Sequence, residues 1–117
     1  MALKVYQYPK CSTCRKALKW LDTNGTTYTS VDITEKPPTK TELKKMLAHY
    51  DGDLKRLFNT SGIQYRELKI KDKLPSMSDK EAIDLLSQNG KLIKRPFVLT
   101  DSAGLVGFKE PEWASVF

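Results

Sequence analysis

The sequence predicts an α/β domain built on a four-stranded mixed sheet with a helical insertion. Three observations predict it: a strand–helix–strand unit at the N-terminus, two helix-capping motifs in the middle, and two short strands followed by a helix at the end. The chain has 117 residues, of which 39% are hydrophobic and 29% charged. This length and balance fit one globular domain covering residues 1–117.

The N-terminal unit alternates between the two kinds of element. Leu3 to Tyr8 is apolar and aromatic and precedes a proline, which is typical of a strand. From Ser12 to Asn24 apolar residues recur at helical spacing, and Gly25 supplies the stop. Tyr28 to Ile33 predicts the second strand. A strand–helix–strand connection of this length favours a right-handed crossover and parallel pairing.

The segment from about Pro37 to Lys91 is predicted to be a helical insertion. Two capping boxes, Thr39 with Glu42 and Ser78 with Glu81, each open a helix. Between them we expect a short apolar turn, a brief helix and a solvated basic face. The residues concerned are, in order, Leu54 to Phe58, Tyr65 to Leu68 and Lys69 to Lys73.

The C-terminal segment predicts an antiparallel hairpin and a last helix. Phe97 to Thr100 and Leu105 to Phe108 are the strands, joined by a turn from Asp101 to Gly104. Glu110 and Pro111 suit a helix start, with Trp113 beyond them to be buried. The whole order of elements fits a thioredoxin-like fold.

Charge and hydropathy narrow the functional class. The net charge of +6 is spread along the chain without a basic tract, so it favours anionic partners only weakly and predicts no direct nucleic-acid interface. No stretch reaches the roughly 20 apolar residues of a membrane span, and no secretory signal is evident. We therefore expect a cytoplasmic protein, in a reducing compartment where a cysteine pair is catalytic, redox-sensing or metal-binding.

The two cysteines, Cys11 and Cys14, are the candidate catalytic residues. In YPKCSTCRK, Cys11 stands just before the helix, where free backbone N–H groups and the helix dipole favour a thiolate. Lys10 and Arg15 add positive charge nearby and are candidate substrate-binding residues. Cys11 is therefore predicted to attack, and Cys14 to resolve the mixed disulfide that forms on it.

Three other interpretations of the pair remain open. A structural disulfide would close a loop too short to restrict the unfolded chain much, so it would stabilise the fold little. A zinc site would need more ligands than His49, the single histidine, can add, so no metal is predicted. Two inert buried thiols are the third possibility. The position of the pair directly after a strand and at a helix start favours redox chemistry.

Four stretches in order, YPKCSTCRKALKWL, PPTKTEL, FNTSGIQYREL and LIKRP, resemble the arsenate reductase and Spx (ArsC/Spx) family over nearly the whole chain. The resemblance implies a thioredoxin fold whose first cysteine attacks an oxidised anion or a disulfide. It implies no bound cofactor, but an external thiol donor: glutathione, glutaredoxin or thioredoxin.

In arsenate reductases of this family three arginines surround the cysteine. Arg95, before a proline expected to be cis, matches the second of them, whereas Asn59 stands at the first position and Phe108, with Lys109 beside it, near the third. The resemblance thus implies a catalytic role for Arg95 and substrate contacts from Asn59. We expect a basic lining reduced to Arg95 and weak or absent arsenate reduction.

Two hypotheses follow from the resemblance. The first is a thiol–disulfide oxidoreductase acting on a small oxyanion or a disulfide. The second is an Spx-like redox regulator that binds the α subunit of RNA polymerase, for which Gly52 falls near the contact glycine, although turns select glycine for backbone reasons alone.

Overall fold

The computed structural model describes residues 3–100 and 103–117. The strands in that part of the chain are β1 (Leu3–Gln7), β2 (Tyr28–Asp32), β3 (Phe97–Leu99) and β4 (Gly104–Val106). The α-helices are α1 (Ser12–Thr23), α2 (Lys40–His49), α3 (Ile63–Glu67), α4 (Ile70–Lys73), α5 (Asp79–Gln88) and α6 (Glu110–Val116). Short 3₁₀ turns occupy Leu54–Leu57, Leu74–Ser76 and Gly90–Leu92.

The four strands form one mixed sheet in the order β2-β1-β3-β4. β1 pairs in parallel with β2, and the pairs β1–β3 and β3–β4 are antiparallel. This is the predicted four-stranded thioredoxin-like sheet, with α2 to α5 inserted between β2 and β3. Of the turn predicted between the last two strands, Asp101 and Ser102 lie outside the described residues.

Each face of the sheet buries its own core, because side chains along a strand alternate between faces. On one face β1, β3 and β4 contribute Val5, Val98 and Leu105, which pack against α1 and against Trp113 of α6. The opposite face is covered by the insertion. Its sheet residues are Tyr6, Phe97 and Val106.

Both predicted capping boxes are present and set the starts of α2 and α5. The Thr39 hydroxyl accepts from Glu42 N at 3.1 Å, and the Glu42 carboxylate accepts from Thr39 N at 3.0 Å. Ser78 and Glu81 make the same pair of bonds. Glu42 also accepts from the Tyr6 hydroxyl at 2.7 Å, which ties α2 to the sheet.

The segment Lys69–Lys73 is more than the solvated face that its lysines suggested. Lys69 takes a left-handed conformation (φ 53°) that turns the chain between α3 and α4. The turn directs Ile70 inward, where it is 1% exposed, while the lysines stay in solvent.

Within residues 3–100 and 103–117, no helix combines the length and apolar character that crossing a membrane requires.

Backbone hydrogen bonds fasten the insertion to the segment before β3. Phe58 and Ile93 form an isolated antiparallel bridge. Beside it, Asn59 N donates to Leu92 O at 2.7 Å and Lys94 N donates to Leu57 O at 2.8 Å. The chain around residue 58 is therefore held beside the chain around residue 93.

Candidate active site

Cys11 is the N-cap of α1 and uses its sulfur as the capping acceptor. Its backbone N–H donates to Tyr8 O at 2.9 Å, which closes the turn after β1. Cys14 N donates to Cys11 Sγ at 3.3 Å. An acceptor at this position is normally an oxygen of Ser, Thr, Asp or Asn, so here the helix end stabilises a negative sulfur.

Several groups around Cys11 favour its ionised form. Burial alone would raise the pKa of the Cys11 thiol, but hydrogen bonds from the Cys14 thiol and backbone N–H act against burial. A hydrogen bond and the charge of the Arg95 guanidinium add to them, and the net effect lowers the pKa of Cys11 below its usual value. The half-buried Cys11 is thus disposed to be a thiolate that substrate can reach.

Cys14 has the opposite character. It lies on the buried face of α1 with no exposed surface. Burial is the main cause that raises the pKa of Cys14 to about 12, and the neighbouring Cys11 acts in the same direction. Both thiols are free, so the pair is in its reduced state, with one disposed to ionise and the other held as a thiol.

Arg95 lies two residues before β3, at a cis peptide bond to Pro96 as expected from the family resemblance. Its guanidinium lies over the Tyr8 ring, 5.0 Å from Cζ to the ring centroid. One nitrogen donates to Lys91 O at 3.3 Å. Nε is buried and lacks a hydrogen-bond partner among the described residues, so the side chain keeps a donor for a ligand.

A cleft of about 950 Å³ opens in front of Cys11. Of the seven charged residues that line it, six are basic and one, Glu67, is acidic. The expectation that Arg95 alone would supply the basic lining is therefore wrong. The basic residues are Lys10, Arg56, Lys91, Lys94, Arg95 and Lys109.

The other predicted site residues divide between the cleft and the surface. Lys10 and Asn59 both line the cleft. Asn59 also has a turn role, because its carbonyl accepts from Gly62 N at 3.0 Å and its side-chain oxygen from the Ser61 hydroxyl at 3.3 Å. Arg15 is exposed on α1 and is not among the lining residues.

The sequence interpretation missed Arg56, Lys91 and Lys94. A partial signal existed, since Lys91 and Lys94 are close in sequence to Arg95, which was already assigned to the site. Arg56 offered none, because it is far from both Cys11 and Arg95 in sequence.

Phe108 and Lys109, the residues near the third family arginine position, both line the cleft. His49 is exposed at the end of α2. In the part of the chain that the structure describes, no three His, Cys, Asp or Glu residues are grouped as a metal site would require.

Comparison with known proteins yields one consistent family. The profile of the ArsC family matches residues 6–116. An uncharacterized protein of Bacillus subtilis, YusI, is 49% identical over 97% of this chain and 96% of its own length. The crystal structure of an ArsC family related protein from Bacteroides fragilis superposes with a TM-score of 0.93, at 48% identity, over 100% of this chain and 98% of the other.

Two relatives with assigned names differ in function. An arsenate reductase of Rhizobium meliloti is 32% identical over 85% of this chain and 69% of its own length. The global transcriptional regulator Spx of Streptococcus mutans is 29% identical over 89% of this chain and 74% of its own length. Similarity to enzymes and to regulators thus extends over most of the chain.

Proposed function

Because this chain belongs to the ArsC family, we propose that it is a thiol–disulfide oxidoreductase with Cys11 as nucleophile and Cys14 as resolving cysteine. The observation that supports this most directly is the contrast within the pair. The pKa of Cys11 is lowered at the mouth of a cleft, and burial raises that of Cys14 to about 12. A two-step exchange requires a reactive thiolate that attacks first and a second thiol that then resolves the mixed disulfide.

In the first step the Cys11 thiolate attacks one sulfur of a substrate disulfide. A bond forms between Cys11 Sγ and that sulfur, the substrate S–S bond breaks, and the other sulfur leaves as a thiolate that takes a proton from solvent. Arg95 can stabilise the negative charge on the attacking and leaving sulfurs, because its guanidinium already interacts with Cys11. Lys10 and Asn59 are proposed to contact the substrate from the cleft wall.

In the second step Cys14 gives up its proton to solvent and attacks Cys11 Sγ. The mixed disulfide breaks, the second substrate thiol leaves, and Cys11 and Cys14 are joined. Two electrons have passed from the cysteine pair to the substrate. We propose that an external thiol donor of a reducing compartment such as the cytoplasm (glutathione, glutaredoxin or thioredoxin) supplies two electrons to restore the pair. Arg15 has no part in this proposal because it lies outside the cleft lining.

The test is turnover of a neutral model disulfide, 2-hydroxyethyl disulfide, in the presence of each thiol donor in turn. Wild type should turn over, Cys11→Ser should not, and Cys14→Ser should accumulate a mixed disulfide on Cys11 that mass spectrometry detects. Lys45→Gln, an exposed change on α2, is the control for handling and folding. Equal rates for wild type and Cys11→Ser would contradict the proposal.

A second candidate function is supported by the similarity to Spx, namely redox-dependent binding of the RNA polymerase α subunit. The relevant surface would include Gly52. That residue is exposed and adopts φ +81°, a conformation that by itself accounts for glycine. A pull-down with the α subunit's C-terminal domain, in reducing and oxidising buffer, tests this candidate, and no binding in either buffer would remove it.

A further inference from the structure

The cleft in front of Cys11 is larger than an inorganic oxyanion needs. Its volume of about 950 Å³ is near the upper end of the roughly 300–1,000 Å³ usual for small-molecule sites. An oxyanion made of one central atom and its oxygens would leave most of this space to water. The dimensions therefore suit an organic ligand that extends away from Cys11.

The charge of the cleft is more one-sided than that of the chain. Basic and acidic residues number 20 and 14 in the whole sequence, but six and one in the cleft. Among residues 3–100 and 103–117 the ion pairs are Lys4–Glu42 and Lys40–Asp84, both outside the cleft lining. Cations in a concave site with no carboxylate bound to them attract anionic ligands.

Apolar side chains are among those that line the cleft. Phe108 lines it and is held by Trp113 and Trp20, with ring centroids 5.1 and 6.2 Å away. Ile63, on α3, lines the cleft with 65% of its surface exposed. An aromatic and an aliphatic side chain stabilise a carbon skeleton by burial, and they would contribute nothing to an inorganic ion.

Gln64 carries a hydrogen-bond acceptor without a partner in the described part of the chain. Gln64 Oε1 is buried and has no donor among the described residues. Gln64 lines the cleft, as does Glu67 one turn later on α3. A buried carbonyl oxygen without a partner is costly, so a ligand N–H that reaches it would be favoured.

Resting on the proposed function, we propose that the substrate is an organic disulfide that carries carboxylates and N–H donors, as in the disulfide of a short acidic peptide. Its sulfurs meet Cys11, its carboxylates meet the lysines of the cleft, and its skeleton packs on Phe108. The exchange is the one described above: the pair Cys11 and Cys14 is oxidised to a disulfide, and the substrate is released as two thiols.

The test compares disulfides that differ in charge. Reduced protein is mixed with glutathione disulfide, with its fully esterified form, and with neutral 2-hydroxyethyl disulfide, and formation of the Cys11–Cys14 bond is timed by quenched flow and mass spectrometry. Each rate is divided by that of the same disulfide with free dithiothreitol, which removes intrinsic reactivity. The free acid should react at least about tenfold faster than the ester on this scale, since electrostatic focusing is worth 10-fold or more.

Two variants localise the effect. In the double variant Lys91→Gln/Lys94→Gln the relative rate for the free acid should fall about fivefold or more, and it should fall further than the relative rate for the neutral disulfide. Lys45→Gln, outside the cleft, should leave all rates unchanged. The advantage of the free acid should also shrink in about 0.5 M salt because screening weakens exposed charges.

Equal relative rates for acid and ester in wild type would overturn the proposed substrate class while leaving the oxidoreductase function in place. Failure to react with any of the disulfides, the neutral one included, would remove the function and the substrate class together. The two failures are therefore distinguishable.

Discussion

The guanidinium of Arg95 rests on the ring of Tyr8, with 5.0 Å between Cζ and the ring centroid. Tyr8 follows β1 and its carbonyl accepts from Cys11 N, so one residue positions both the nucleophile and the cation beside it. The aromatic face holds Arg95 where its charge acts on the Cys11 sulfur.

Removing that ring should weaken the activation of Cys11. With Tyr8→Leu, we expect alkylation of Cys11 by iodoacetamide at neutral pH to slow about two- to fivefold, as loss of a contact worth roughly 0.5–1 kcal/mol implies. Tyr8→Phe keeps the ring and is the matched control, which should alkylate like wild type. Equal rates for the Leu and Phe variants would show that the stacking does not position Arg95.

The contrast between the two thiols predicts selective alkylation and a particular pH dependence. The reactive species is the thiolate and the pKa of Cys11 is lowered. The alkylation rate of Cys11 should therefore rise with pH and level off at a lower pH than the rate of an ordinary thiol. Cys14, with its pKa raised to about 12, should stay unmodified in the folded protein at neutral pH. Peptide mapping after timed alkylation measures both, and comparable labelling of the two would contradict the assignment.

Arg95→Gln separates the charge of Arg95 from the effect of the helix end. The variant should shift the Cys11 alkylation profile to higher pH and slow the neutral-pH rate several-fold, because the pKa of Cys11 rises when the Arg95 charge no longer lowers it. Arg95→Lys keeps a charge but loses the planar stacking group, so its alkylation rate should lie between those of wild type and Arg95→Gln. If the pH profile of Arg95→Gln coincides with that of wild type, the end of α1 and not Arg95 is the main cause of the lowered pKa of Cys11.

The local features of the site could be predicted from the sequence. The strand before Cys11, the helix after it and both capping boxes are encoded by residues a few positions apart, so their patterns are legible without tertiary information. The position of Arg95 came from the family resemblance. These features together define the reactive pair and one cation.

The remainder of the basic lining could not be predicted because it depends on contacts between distant segments. Arg56 lines the cleft and stands two residues before Phe58, which bridges to Ile93, more than thirty residues later. Arg15, by contrast, is adjacent to Cys14 in sequence but is exposed, because successive residues of a helix are turned about 100° from one another. Proximity in sequence was a poor guide to charge in the cleft.

Phe108 predicts weak arsenate reduction that a substitution should improve. The ring lines the cleft near the place where the family resemblance implies a third arginine, and it offers no charge to an oxyanion. We expect Phe108→Arg to lower the KM for arsenate relative to wild type in a thiol-coupled assay, with Phe108→Leu as the uncharged control. A wild-type KM already equal to that of the arginine variant would show that the present cations suffice for arsenate.

The approach of Gly90 to Ile33 predicts a strong effect on stability. A Cβ added at Gly90 would overlap the backbone carbonyl of Ile33, which is held in place because Ile33 N donates to Gln7 O at 2.9 Å. Gly90→Ala should therefore lower the free energy of unfolding by roughly 1–3 kcal/mol, the usual cost of overpacking. Gln88→Ala, two residues earlier and exposed on α5, should change it by no more than about 0.5 kcal/mol. Urea denaturation measures both, and an unaltered midpoint for Gly90→Ala would mean that the 3₁₀ turn carrying Lys91 can move away from the sheet without cost.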